Sequence, residues 1–464
     1  MFFLLAILVV YWSLKTKIQQ NIFLLIASYL FYISWDWRFL SLIIISTWID
    51  YFAGRRIYET ANPKKRKFYL LLSIVINLSL LGFFKYFNFF IENLNSLLSF
   101  MGLYPHLSTL SIILPLGISF YTFQSMSYTL DIYRRQIKPV DSFMPFALYV
   151  SFFPQLIAGP IERARNLLAQ INEERRFDLT RSLDGIMLIL WGLVKKIVIA
   201  DNIAYYVNMI FDLRAPSTLL ILVGTFGFGI QVFSDFSAYT DIARGSAKLM
   251  GFELVKNFNN PYLASSPPDF WKRWHISLYT WVRDYIFIPL GGSECSLKRY
   301  VFNVLVVWML MGLWHGAAWH FVAFGLYHAL LIILYKLIIK PLIKPDFFKK
   351  RILKYIPIFI TYLFINLGFV LFRTTSLSNL GAYFNLAALR QSKFDFNVAY
   401  VLFCIFLFYS LPFLSAIVFH KYINKIKSNT SKFINFILFN AILTLLLIAI
   451  FARSNANDFI YFQF

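Results

Sequence analysis

Histidine is the side chain best placed to accept and return a proton near neutral pH. Six histidines occur in this chain of 464 residues, and two of them sit in unusual settings. His275 lies in FWKRWHIS, among aromatic and basic residues. His315 lies in MLMGLWHGAAWH, near the end of the apolar run Tyr300–Trp314. An ionisable group at membrane depth is expensive, which makes His315 a candidate for general-base chemistry. The same cost is met if His315 only hydrogen-bonds between packed helices, and burial alone does not separate the two readings. Gly312, Gly316, Ala317 and Ala318 surround it and would let a substrate or a second helix come close. His315 and His320 are five residues apart, about 140° around a helix, so they do not share a face. The HExxH spacing of a zinc protease is absent, and no metal site is expected.

A second polar set lies in QVFSDFSAYTD, Gln231–Asp241. Gln231, Ser234, Asp235, Ala238 and Asp241 fall on one helical face. Two acids in an apolar stretch suit a relay or a substrate site. They also suit interhelical hydrogen bonding, or pairing with a cation such as Arg244. A structural, site-shaping role is expected ahead of direct catalysis. Gly224, Gly227 and Gly229 precede this set with no strand before them, so they read as close-packing residues and not as a nucleotide loop. In FFPQLIAGPIERA, Gly159 and Pro160 end a span and re-aim the chain.

The elements that must position these residues are set by composition. The chain is 59% hydrophobic and 14% charged, against about 25% charged in a soluble domain. Most of the surface therefore faces lipid. The net charge of +22 resides in short basic clusters between apolar runs, as in cytoplasmic loops, and not in a nucleic-acid surface. These clusters are Arg55, Arg56 and Lys64–Lys67; Arg134, Arg135 and Lys138; Lys344–Lys354; and Lys421–Lys432. Cys295 and Cys404 are far apart and indicate no disulfide. Met1–Leu14 lacks a basic start and a cleavage site, so it reads as a retained first helix with the N-terminus outside.

Apolar runs predict an all-α, polytopic membrane protein with about 10 to 13 crossings, some of them re-entrant or interfacial. The candidate spans are Phe2–Leu14, Ile22–Trp35, Phe39–Tyr51, Phe68–Phe84, Ile112–Tyr128, Phe143–Ile157, Leu183–Ile199, Leu219–Phe236, Tyr300–Trp314, Phe321–Leu337, Ile356–Phe372, Ala399–Phe419 and Phe433–Phe451. The last starts inside and leaves Tyr461–Phe464 at the extracytoplasmic face. In Asn257–Gly292, Pro261, Pro267 and Pro268 break any long helix, and the Trp, Tyr, Lys and Arg content suits short helices at the interface.

Four segments in order carry a resemblance: FFPQLIAGPI at 152–161, FSDFSAYTDIARGSAKLMGF at 233–252, NFNNPYLASSPPDFWKRWHISLYTWVRDYIFIPLGG at 257–292 and MGLWHGAAWHFVAFGLYH at 311–328. Together they resemble the signatures of the membrane-bound O-acyltransferase family. LPLGISFYTFQSMSYTLDIYRR at 114–135 and the closing FIYFQF at 459–464 are similar to its bacterial alginate O-acetylase branch, which resembles peptidoglycan O-acetyltransferases. The likeness covers nearly the whole chain, read as a single membrane domain over 1–464 with its signature core at about 112–330.

The resemblance implies a central tunnel at membrane depth. It implies that His315, in the WHG-type motif, is the catalytic residue, and that His275, in the WHxS motif, assists donor handling or lines the tunnel. Asp235, Asp241, Gln231, Trp314, Trp274 and Asn259 are the further residues expected along it. It also implies acetyl-CoA as cytosolic donor with no tightly bound cofactor, and a separate extracytoplasmic SGNH-type transferase that delivers acetyl to a polysaccharide such as peptidoglycan or alginate. The protein would sit in the bacterial inner membrane with both termini outside. D-alanyl transfer to teichoic acid is a related alternative, because those enzymes are close relatives. The Tyr461 of FIYFQF resembles the acyl-carrying tyrosine of the small partner protein in D-alanylation systems, so Tyr461 is expected either to carry acetyl as a phenyl ester or to anchor the interface. Two non-enzymatic classes compete. A transporter would show repeated halves, and none are visible. A scaffold leaves the WHG and WHIS segments unexplained.

Overall fold

The computed structural model of the protein describes residues 2–104, 107–342, 353–384, 392–427, 430–453 and 459, with the side chains of 414–427 excepted. The described residues are helical, with no strand among them. Seven helical stretches among them are long and apolar enough to cross a membrane: Pro63–Phe100, Thr218–Leu249, Leu297–His315, Trp319–Leu342, Tyr355–Arg373, Lys393–Phe413 and Thr430–Phe451. The all-α, multi-pass expectation is met, with fewer full-length crossings than apolar runs. The difference lies in short or polar helices. Lys17–Ile33 has 17 residues and Phe143–Ser151 only 9, and about 20 are needed to cross. Leu40–Glu59 is long enough but carries Asp50, Arg55, Arg56 and Glu59. The run Ile112–Tyr128 does not form one helix, because Gly117 adopts a left-handed conformation (φ +74) and the helix starts only at Ile118.

The chain forms two compact units. The first comprises Met1–Gly185 and Ala243–Val255. Its helices Leu40–Glu59, Pro63–Leu81 and Ile118–Tyr133 pack together around the fully buried Asp50. Ser73 Oγ donates to Asp50 Oδ1 at 2.5 Å, Asn77 Nδ2 donates to Oδ2 at 2.9 Å, and Ser125 Oγ also donates to Oδ2. A buried carboxylate is tolerable when its lone pairs are satisfied in this way. The Asp50 network therefore ties three helices by directional bonds where lipid offers no hydrophobic drive between helices.

The second unit comprises Ile186–Ile242 and Lys256–Phe464. Its helices differ in what they face. The apolar window of Thr218–Leu249 is 78% buried and that of Thr430–Phe451 only 17%. The first is a packed interior helix. The second presents Phe439, Ile442, Leu445 and Ile450 outward, as a lipid-facing helix must. In the segment Asn257–Gly292 the prolines break the chain into short pieces, with helical turns at Pro261–Leu263, Pro267–Arg273 and Ile276–Val282.

Candidate active site

His315 is the last residue of the helix Leu297–His315. The chain turns through Gly316–Ala318 in extended conformation, and the helix Trp319–Leu334 returns alongside. Small residues make this return possible. A Cβ at Gly312 would strike the carbonyl of Phe321, and one at Gly325 would strike the carbonyl of Trp308. The two backbones thus touch at a small-residue seam. Gly316 is required by packing, not by its φ of −165°: its face is covered by the Phe321 ring. The small residues around His315 serve helix approach at Gly312 and Gly316.

This hairpin holds the His315 imidazole in an aromatic enclosure. The side chain is buried, with ring centroids of Trp314 at 5.1 Å, Phe372 at 5.2 Å and Phe324 at 5.9 Å. His320 faces elsewhere, its Nδ1 3.1 Å from the Leu371 carbonyl oxygen. The break at Gly316–Ala318 places the two imidazoles on different helices, so the angle expected within one helix does not apply.

His275 reaches the same enclosure from another segment. It is buried and packs edge-on against Phe236 at 4.7 Å and Trp314 at 5.6 Å. Trp314 therefore touches both imidazoles. Burial pushes the His275 imidazole down to about 3, so it is neutral across the physiological range. Its backbone is left-handed (φ 44, ψ 53), an uncommon conformation for a residue with a Cβ. Asn257 holds it there. The Asn257 carbonyl accepts the Ile276 N–H at 3.0 Å, and its side-chain Oδ1 accepts the Ser277 N–H at 3.2 Å. Asn257 is not legible in the sequence as a site residue; its neighbour Asn259 is the one expected there. Asn259 is exposed, and its N–H donates to the Arg273 carbonyl at 3.0 Å. Trp274 is buried among Phe258 at 5.1 Å, Phe270 at 5.4 Å and Phe369 at 5.8 Å.

The polar face of Thr218–Leu249 is occupied by lysines. Lys195 Nζ donates to Asp241 at 2.7 Å and to Ser237 at 2.9 Å. Lys196 Nζ bridges Asp235 at 3.0 Å and Asp201 at 2.9 Å. Lys195 and Lys196 are thus cation partners of these aspartates, and Arg244 pairs with Glu253 at 3.8 Å. These lysines sit inside the run Leu183–Ile199, which reads from sequence as a plain span. Two adjacent cations in an apolar run are the signal for them. They lie in a π-helical stretch, Val194–Ala200, a local irregularity common at functional sites. Gln231 is buried on the same helix as the two aspartates.

The C-terminal signature enters at one residue. Phe459 is buried against Tyr239 at 4.1 Å and Phe236 at 5.8 Å. Tyr461 lies outside the described residues.

Residues 140–378 match the sequence pattern of the membrane-bound O-acyltransferase family. The chain is also 36% identical over 381 residues to a probable alginate O-acetylase of Pseudomonas aeruginosa, covering 81% of this chain and 71% of that one. The chain belongs to the membrane-bound O-acyltransferase family. It is an O-acyltransferase of the membrane. The chain is similar to two further relatives. A peptidoglycan O-acetyltransferase of Helicobacter pylori is 34% identical over 393 residues, 79% of this chain and 73% of that one. A teichoic acid D-alanyltransferase of Bacillus subtilis is 30% identical over 296 residues, 58% of this chain and 71% of that one. Within this membrane-bound O-acyltransferase, both histidines of the WHG and WHIS segments fall in the matched region and in the second unit.

Proposed function

We propose that the protein transfers acetyl groups from cytosolic acetyl-CoA, through a tunnel in the inner membrane, for O-acetylation of an extracytoplasmic polysaccharide of the peptidoglycan or alginate type, with an SGNH-type transferase completing delivery. The observation that carries this reading is a run of ring contacts. Phe459 meets Phe236 at 5.8 Å, Phe236 meets His275 at 4.7 Å, His275 meets Trp314 at 5.6 Å, and Trp314 meets His315 at 5.1 Å. The residue two positions before Tyr461 is thus seated on the aromatic wall that holds both histidines.

In this reading His315 takes the proton of the Tyr461 hydroxyl. The phenolic oxygen attacks the thioester carbonyl carbon, the C–S bond breaks, and the CoA thiolate receives the proton from His315. The tyrosyl ester retains transfer potential because its leaving group has a pKa of about 10. The partner then moves acetyl to a sugar hydroxyl. Neutral His275 shapes the passage with Trp274, Asp235, Asp241 and Gln231. A general base is worth about 10² to 10⁴ in rate. A His315→Ala protein at wild-type level in the membrane should lose polysaccharide acetylation by that order, read as ester acetate released from the isolated polymer; normal acetylation would refute the assignment. D-alanyl transfer is the second reading, supported by the 30% identity to the Bacillus enzyme. Mass spectrometry of the group on Tyr461 separates the two.

A further inference from the structure

The first unit carries a cavity of about 710 Å³, and neither histidine's segment contributes to its lining. It is built by three pieces of chain: the start of the helix Lys17–Ile33, the loop after Ile118–Tyr133, and one face of the helix Ala164–Asn172. Each piece contributes a cation, namely Lys17, Lys138 and Arg165, against the one carboxylate of Asp141. Lys17 is fixed, its ammonium donating to the Asn172 carbonyl at 2.6 Å. Lys138 and Arg165 are exposed at the cavity. Between the charges the walls are apolar, with Val140 and Leu168 among them. The size falls in the range of small-ligand sites, about 300 to 1,000 Å³.

We infer that this cavity is a binding site for a phosphate joined to an apolar or flexible tail. A guanidinium reads phosphate oxygens through paired N–H donors, and ammonium groups add point charge. The apolar walls between them would take up the tail attached to the phosphate. Two sources share that chemistry, an anionic phospholipid and the phosphopantetheine end of a coenzyme. Lys17 opens its helix and Lys138 lies in a loop, and both basic stretches have the composition of cytoplasmic segments, where both sources are found. The site stands whether or not acetyl-CoA is the acyl donor.

The test uses the full chain in nanodiscs of phosphatidylcholine. Binding of CoA is read by calorimetry in these discs, and retention of phosphatidylglycerol by native mass spectrometry in discs to which that lipid has been added. The variant is Lys138→Ala/Arg165→Ala, with Lys64→Ala/Lys65→Ala as a charge-matched control on a different exposed cluster. Thermal melting of both variants should equal wild type, since all four side chains are exposed. The expected result is that the first variant weakens one ligand by about tenfold or more while the control leaves it unchanged. A loss confined to CoA assigns the coenzyme source, and a loss confined to the lipid assigns the headgroup. Equal weakening by both variants, or no weakening of either ligand, overturns the site.

Discussion

Gly312 and Gly325 face each other so closely that a Cβ on either would lie 3.1 Å from the amide nitrogen of the other. This contact fixes the hairpin that ends one helix at His315 and starts the next. Neither residue is free to grow, because a carbonyl also lies in the path of each new methyl. Gly312→Ala should therefore destabilise the protein by about 1 to 3 kcal/mol through overpacking. On the proposed function, acetylation should fall with it, because the stretch of chain carrying His315 must shift. Melting in detergent and acetylation assays read the two effects. Wild-type values in both would show that the seam tolerates a methyl group.

Lys195 is buried and pairs with the partly buried Asp241, their side chains 3% and 18% exposed. Removing one partner leaves a charge without its main partner, at a cost between the roughly 1 kcal/mol of an exposed pair and the roughly 3 to 5 kcal/mol of a fully buried one. Lys195→Met should therefore lower stability strongly, and Lys195→Met/Asp241→Leu should recover most of the loss. Denaturation midpoints of the wild type, both singles and the double complete the cycle. Additive losses would mean that the pair is not coupled.

Phe459 packs on Tyr239 and Phe236. On the carrier reading, Phe459→Ala should reduce polysaccharide acetylation with little change in protein level, and Tyr461→Phe should abolish it. Full acetylation by Tyr461→Phe in cells would sink the carrier role. Loss in Tyr461→Phe without loss in Phe459→Ala would remove only the seat.

Glu162 gives a pH dependence with a definite sign. It is buried, and its carboxylate accepts the Val255 N–H at 2.5 Å and Asn166 Nδ2 at 2.6 Å. Burial raises its carboxyl from 4.5 to about 7 despite these bonds. Between those values the folded chain holds a proton that the unfolded chain has lost. The associated stability is complete below the unfolded value and declines as pH rises toward 7. Glu162→Gln should flatten the melting temperature over that window. An unchanged slope would assign the titration to another group.

The helical class and the position of the main helices are legible in the sequence because apolar length is the dominant signal in lipid. The breaks at Pro261, Pro267 and Pro268 are legible because a missing N–H and a fixed φ act locally. His315 is legible as a polar group where polarity is costly. Lys195 and Lys196 carry the same signal but are masked, because two cations leave a run apolar on average. Their acceptors, Asp235 and Asp241, stand out, yet partner choice depends on which helix lies opposite. Asn257 is hidden for a different reason. Its work is done on the amides of Ile276 and Ser277, and a residue that bonds to backbone leaves no mark in the sequence it restrains. The left-handed Gly117 likewise ends an apolar run that composition alone would extend.

The left-handed backbone at His275 couples two variables that mutagenesis normally separates. Alanine at this position removes an imidazole and also replaces a residue type that enters the left-handed region comparatively readily with one that does so less. A damaged His275→Ala enzyme therefore conflates conformational energy with side-chain function. Asparagine tolerates that region, and glycine occupies it at no steric cost. The informative comparison at this site is His275→Asn against His275→Gly, in which the backbone is held permissive and the ring is the quantity under test.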